Sequence, residues 1–276
     1  CDNSLNPACG EWDYIFNTVL KQHTGDYVDT NEVVIDWCLG NYITPYGYGI
    51  DLGNGWTWVY DVTDFVHLLK DSVHLQDGNF QEQLDLKFLF IEGTPPRNVL
   101  EIKNVWQGSY NLKDFDNIVT DTTFALKTSV KSVKLRTTVT GHGFGTGNNC
   151  GEFCENIHSV KANNTKIAEW QIVQNCSNNP LYPQGGTWIY NRAGWCPGTR
   201  GTLQEFDLTP YINNHSINFD YDIEYDPSGN YVTHVELVTY GDINFQEDVS
   251  AEIIISPTND YLQTRYNPTC GNPIIV

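Results

Sequence analysis

Three clusters in this 276-residue chain set ionisable groups and flat apolar rings beside a cysteine. In Cys9-Gly-Glu-Trp-Asp13, the period-two geometry of an extended chain projects Glu11 and Asp13 to one face and Trp12 to the other. In Cys150-Gly-Glu-Phe-Cys154, a bridge between the two cysteines would close a small loop around Glu152 and fix its direction. The third cluster, Asn191-Arg-Ala-Gly-Trp-Cys-Pro-Gly198, sets Arg192 and Trp195 next to Cys196. Taken singly, each cluster reads as a solvated turn carboxylate or cation, a core aromatic and a structural bridge, the commonest use of such residues. Taken together, paired carboxylates with a fixed Arg and flat aromatics suit sugar binding and acid/base chemistry.

The elements that hold these clusters are expected to be strands. The chain carries 23 Gly, 12 Pro and 13% aromatic residues, a composition of short strands and many turns. Leu84, Leu86, Phe88 and Phe90 recur at period two, as do Val133, Leu135, Thr137 and Val139, and both runs predict half-buried strands. Val62, Phe65, Val66 and Leu69 follow helical spacing with Asp61 and Thr63 as caps, predicting about two helical turns. Asn148-Asn149, Ser177 to Pro180 and Gly185-Gly186 are turn-rich and predict binding loops. The chain also repeats itself. Cys9-Gly-Glu-Trp12 recurs as Cys150-Gly-Glu-Phe153, and Asp61-Val-Thr-Asp-Phe65 recurs as Asp207-Leu-Thr-Pro-Tyr211, in the same order. Two ordered matches predict two domains of one architecture. The fold class expected is all-β, with two side-by-side jelly-roll β-sandwich domains. The N-terminal jelly roll is placed at 1–97, incomplete at its start, and the C-terminal one at 98–258. Residues 259–276 are expected as a linker or the start of a further segment, and Gly93-Thr-Pro-Pro96 marks the boundary between the domains.

Charge and cysteine usage narrow the setting. Fifteen Lys plus Arg against 34 Asp plus Glu give a net charge of −19, the wrong sign for displacing counterions from phosphate backbones, so no nucleic-acid partner is expected. No apolar run is long enough for a membrane span. The eight cysteines show neither C-x-x-C nor zinc-ligand spacing. Close pairs instead predict disulfides and a secreted or periplasmic protein. The expected bridges are Cys1–Cys9, Cys150–Cys154 and Cys176–Cys196, with Cys38–Cys270 by elimination. The seven His are isolated along the sequence and Met is absent, so neither a metal nor a cofactor is expected.

Several motifs fall in order: Cys9-Gly-Glu-Trp-Asp13, Tyr42-Ile-Thr-Pro-Tyr46, Asp61-Val-Thr-Asp-Phe65, Gly93-Thr-Pro95, Leu135-Arg-Thr-Thr138, Cys150-Gly-Glu-Phe-Cys154 and Arg192-Ala-Gly-Trp-Cys-Pro-Gly198. In this the chain resembles the bacterial peptide-N-glycosidase F family, from Cys1 to about Tyr211. The resemblance implies two eight-stranded jelly rolls with an active site in the cleft between them. It further implies an amidase, peptide-N4-(N-acetyl-β-glucosaminyl)asparagine amidase, acting as a monomer on N-linked glycoproteins or glycopeptides. Such an enzyme releases the glycan and converts Asn to Asp. By motif position it assigns catalysis to Asp13, Glu152 and Arg192: Asp13 activates water or attacks, Arg192 polarises the carbonyl, and Glu152 holds water and the first sugar. Trp12, Glu11, His142 and Trp195 are the expected substrate-binding residues. The chain departs from the family pattern at Tyr14, which replaces an Arg, and at His142 and Phe144, which replace a Trp and a His. A further family Glu has no counterpart between Ser72 and Gln83, where only Asp77 or Glu82 is acidic and nearby. Two rival readings are an inactive carbohydrate-binding relative and a glycosidase using Asp13 and Glu152, which would leave a sugar on Asn. A copper monooxygenase is disfavoured by the missing His-x-His and Met ligands.

Overall fold

The computed structural model describes residues 12–48, 50, 57–78, 84–145, 147–179, 181–224 and 228–246. The strands among them are β1 (Ile15–Val28), β2 (Asn31–Ile43), β3 (His74–Gln76), β4 (Arg97–Asn111), β5 (Thr122–Ala125), β6 (Ser132–His142), β7 (Ile157–Ala162), β8 (Thr165–Gln171), β9 (Leu203–Asp207), β10 (Ser216–Ile223) and β11 (Asn230–Ile243). Two single-turn helices, α1 (Phe115–Ile118) and α2 (Cys150–Phe153), sit between them. The pairing is antiparallel throughout. A three-stranded sheet has the order β2-β1-β3, and two four-stranded sheets have the orders β5-β10-β7-β8 and β4-β11-β6-β9.

The two four-stranded sheets pack face to face. Val133, Leu135 and Val139 of β6, Val235 and Leu237 of β11, Val160 of β7 and Phe219 and Tyr221 of β10 fill the layer between them. Truncating one of these, Leu135→Ala for example, costs about 2–5 kcal/mol of transfer and cavity energy. The opposite face of β4-β11-β6-β9 is not open to solvent. Ile102, Val238 and Tyr240 on that face join Leu20, Trp37, Leu39 and Phe65 in a second apolar cluster, so β4 and β11 serve two cores. Beside this cluster Asp64 is buried. It accepts from Arg136 Nη1 at 2.6 Å and from the Tyr240 hydroxyl at 2.6 Å, and Lys134 Nζ lies 3.0 Å away. Burial works to raise the Asp64 carboxyl pKa, but these three partners together bring it below the ordinary range.

Several expectations meet the structure directly. The 133–139 alternation is β6, although Arg136 on its outward side is buried too, because the small sheet covers it. The second repeated motif has the same turn at both places. Asp61 Oδ1 accepts from Thr63 N–H and Asp207 Oδ1 from Thr209 N–H, each at 2.9 Å, and each opens a 3-10 turn, Thr63–Phe65 and Thr209–Tyr211. Of the two helical turns predicted from Val62 to Leu69, the first is that 3-10 turn, and Leu68 N–H and Leu69 N–H then donate to Phe65 O at 2.8 and 3.2 Å to close a second. Val62, Phe65 and Leu69 of the predicted stripe pack on the second apolar cluster, whereas Val66 is exposed and the neighbouring Asp64 turns inward to Arg136. The strand predicted over 84–90 does not form. Residues 84–92 pair with no strand, and Leu89 and Ile91 are 86% and 94% exposed. Among the described residues, the N-terminal region contributes the three-stranded sheet in place of eight strands.

Cys150–Cys154 and Cys176–Cys196 are bridged as expected. Cys38–Cys270 is not: Cys38 is a free thiol, buried on β2 opposite Val19, with its Sγ turned toward Asn17 Oδ1 at 3.7 Å. Burial, aided by Glu236, raises its pKa and keeps it protonated. Cys1, Cys9, Cys270, Glu11 and residues 259–276 lie outside the described residues. No helix among the described residues is long and apolar enough to cross a membrane.

Candidate active site

The end of the β1–β2 hairpin meets the 198–201 segment backbone to backbone. Ile43 N–H donates to Thr199 O at 2.9 Å, Gly198 N–H to Ile43 O at 2.9 Å and Gly201 N–H to Asn41 O at 3.1 Å. The adjoining Thr44 N–H donates to Tyr14 O at 2.8 Å, and Tyr14 N–H to Thr44 Oγ1 at 2.9 Å. Asp13 is thereby fixed just ahead of β1, against the second set of sheets. From the other side comes α2, entered through Asn149 at φ +60° and closed by the Cys150–Cys154 bridge. A Cβ at Gly151 would lie 2.4 Å from His142 O and 2.7 Å from Gly229 Cα, so only glycine lets this turn rest on the ends of β6 and β11. Glu152 O then accepts from Ala193 N–H at 2.8 Å, which lays the 191–196 segment alongside.

These elements surround a cavity of about 280 Å³. Asp13, Glu152, Tyr46 and Thr187 supply its polar wall, His142 and Trp195 its aromatic wall, and Trp12 and Phe144 line its exposed rim. Gly186, at φ +60°, brings the loop against Tyr46: a Cβ there would fall 2.7 Å from the Tyr46 ring.

Arg192 lies behind this wall, 1% exposed. Nε donates to Glu152 Oε1 at 3.1 Å; Nη1 donates to Thr187 O at 3.0 Å and Tyr190 O at 2.9 Å; Nη2 donates to the Tyr46 hydroxyl at 3.2 Å and Thr187 Oγ1 at 2.9 Å. A guanidinium has five N–H groups, and here each has an acceptor. Its plane also lies over Trp195 and Phe153, 4.9 and 5.1 Å from the ring centroids. Glu152 takes its second bond, on Oε2, from Phe144 N–H at 3.1 Å.

Burial raises the pKa of both cavity carboxyls. For Asp13, Arg192 and a hydrogen bond from Tyr46 oppose the rise without cancelling it. For Glu152, Arg192 opposes it and the Asp13 charge adds to it. His142 is pushed down to about 4 by burial and by Arg192, so it is neutral at pH 7. The arrangement is a pocket with two carboxylates of raised proton affinity beside one buried cation, a setting for proton transfer.

A sequence model described as "Peptide-N-glycosidase F, C terminal" matches residues 109–240. Peptide-N(4)-(N-acetyl-beta-D-glucosaminyl)asparagine amidase F of Elizabethkingia miricola is 29% identical over 238 residues, covering 78% of this chain and 64% of the relative. Residues 109–240 are similar in sequence to the peptide-N-glycosidase F family. The chain spans a little under two thirds of that relative's length. The solved structure of PNGase F, a glycosylasparaginase from Flavobacterium meningosepticum, shares the fold: TM-score 0.66 at 23% identity, over 84% of this chain and 80% of that one. PNGF-II in its C2 crystal form shares it at TM-score 0.56 and 16% identity, over 88% of this chain and 56% of that one.

Five of the expected site residues line this one cavity together: Asp13, Glu152, Trp12, His142 and Trp195. Trp195 does so mainly as a packed core ring, 2% exposed, with Nε1 donating to Gly141 O at 2.7 Å and His142 stacked 5.3 Å away. The placement of Arg192 differs from the expectation that it faces the substrate, because the Tyr46 and Thr187 side chains intervene and occupy its donors. Tyr46 and Thr187 were not singled out as site residues. Their only sequence signals were the positions of Tyr46 in Tyr42-Ile-Thr-Pro-Tyr46 and of Thr187 directly after Gly185-Gly186.

Proposed function

We propose that this chain is a peptide-N-glycosidase: an amidase that hydrolyses the bond between Asn and an N-linked glycan on glycoproteins or glycopeptides. The observation that carries the reading is the pair Asp13 and Glu152, both buried enough to raise their proton affinity, on one cavity with Arg192 beneath. Water attacks the amide carbon as Asp13 takes its proton, and the C–N bond breaks as the nitrogen of the glycosylamine is protonated. The products are Asp in the peptide and a glycosylamine, which loses ammonia in water. Glu152 has one bond on each oxygen, leaving a lone pair on each to accept from the attacking water or a sugar hydroxyl. Arg192 contributes its field and holds Glu152 in place. Trp12 and Phe144, exposed on the cavity rim, offer faces for a pyranose.

The relative named an asparagine amidase supports this reading, as does the family match over 109–240. The two bridges support function outside the reducing cytoplasm. The test is to incubate the protein with an N-glycopeptide and weigh the peptide. Asn converted to Asp supports the amidase; a peptide retaining one sugar on Asn identifies a glycosidase; an intact glycopeptide that binds without change identifies a lectin-like relative.

A further inference from the structure

The hydrogen-bond accounting around Arg192 leads past that reading to Tyr46. The guanidinium has no N–H left for Asp13 or for a substrate, because its five donors end on Glu152, Thr187, Tyr190 and Tyr46. The Tyr46 oxygen has two lone pairs and one proton. One lone pair accepts from Arg192 Nη2 at 3.2 Å, and Thr187 Oγ1 lies 3.1 Å away. Thr187 Oγ1 is itself an acceptor for Arg192 Nη2 at 2.9 Å, so its own proton is free to go to the second lone pair of Tyr46. The Tyr46 proton is then left to turn toward Asp13, which lines the same cavity. With Thr187 donating to Tyr46, the cluster runs in one direction, from guanidinium to threonine hydroxyl to phenol to carboxylate.

We propose that Tyr46 is the positioning residue of the site, the phenol through which the buried Arg192 orients the Asp13 carboxylate and keeps it available as the base. Tyr46 comes from the chain just after β2, whereas Arg192 and Thr187 come from the far side of the cavity, so the phenol also ties the two walls together. The 6% exposure of Tyr46 excludes water from the relay, and Gly186 is the residue that permits the close approach. The inference rests on Asp13 being the base, and its test is separable from that reading.

The experiment titrates the Asp13 carboxyl by carbon-13 NMR in the full chain labelled at aspartate, with the resonance assigned against Asp13→Asn. It is run on wild type, Tyr46→Phe and Thr187→Val, beside the pH profile of kcat/KM. Removing a hydrogen bond to the charged form favours the protonated form, so Tyr46→Phe should move the Asp13 midpoint up by about one pH unit. The acid limb of kcat/KM should move with it, kcat should fall about tenfold at the acid end, and KM should stay close to wild type. Thr187→Val breaks an earlier link and should move the midpoint the same way by less; it carries the test if Tyr46→Phe does not fold. A midpoint unchanged within about 0.2 pH in the folded variants, or one that moves down, overturns the proposal. A shifted midpoint in a protein that does not convert Asn to Asp upholds the relay and overturns the amidase reading instead.

Discussion

Replacing Arg192 by lysine keeps the charge and removes the geometry, which makes it a sharp test of how the site is held. Five acceptors converge on the guanidinium: Glu152 Oε1, Thr187 O, Tyr190 O, Thr187 Oγ1 and the Tyr46 oxygen. An ammonium offers three protons from one point, so at least two of these acceptors, all gathered around a side chain 1% exposed, lose their partner. Each stranded group costs about 1–3 kcal/mol, giving about 2–6 kcal/mol in all, before counting the stacking of the planar fork between Phe153 and Trp195. For a chain of this size that lowers Tm by roughly 5–20 °C. Calorimetric unfolding at pH 7 with the disulfides intact reads the loss, and glycopeptide turnover reads the accompanying displacement of Glu152. Arg200→Lys is the control. The Arg200 Nη1 makes one bond, to the exposed-side carbonyl of Val59 at 2.6 Å, which a lysine can reproduce, so less than about 0.5 kcal/mol should be lost. If Arg192→Lys melts within about 2 °C of wild type and turns over normally, the donor count is not what fixes this wall.

Three further outcomes follow from other features. Asp13→Asn should fold, bind glycopeptide and lose about a hundredfold to ten-thousandfold in kcat, with Glu152→Gln slower than wild type by a smaller factor; wild-type rates in Asp13→Asn would remove Asp13 from the mechanism. Glu236 is buried on β11, and burial, only partly offset by Arg136, raises its carboxyl pKa to about 7. Its penalty is absent below the ordinary pKa of 4.5, grows as pH rises through the interval and reaches roughly 3 kcal/mol above pH 7. Glu236→Gln should therefore raise the denaturant midpoint at pH 8 and lose that advantage near pH 4.5, whereas an equal gain at both pH values would contradict the assignment. Dialysis against a chelator should leave turnover intact, because among the described residues no group of three or more His, Cys, Asp or Glu is placed to hold a metal ion and the nearby cysteines are bridged; activity lost and then restored by added zinc or calcium would refute this.

What the sequence made legible was short-range. The alternation of Val133 and Leu135 marked a strand because sheet geometry makes neighbours face opposite ways, and the Asp61 and Asp207 turns were visible because the capping bond spans two residues. Glu152 stood out because its flanking cysteines lie four residues apart. Tyr46 and Thr187 did not, since their meaning arises from a contact across 141 residues that no local pattern encodes. The 84–90 alternation misled for a related reason: a period-two pattern states which face is apolar, but a strand exists only where another strand meets it. Arg192 was found by its motif and misread in its direction, because a motif does not say which acceptors use up a donor.

The sharing of β4 and β11 between two apolar clusters bears on how the chain comes apart. Among the described residues the apolar cluster under the small sheet is completed by Ile102, Val238 and Tyr240, and the sandwich without the small sheet would turn Arg136 and Glu236 out of their enclosed joint. The two clusters are joined through these strands among the described residues, so the two parts should melt together in a single calorimetric transition. The exposed stretch around 84–92 can then be nicked by a protease without separating the pieces: the covalent link there is dispensable, and the interface formed by the two shared strands keeps Asp13 opposite Glu152.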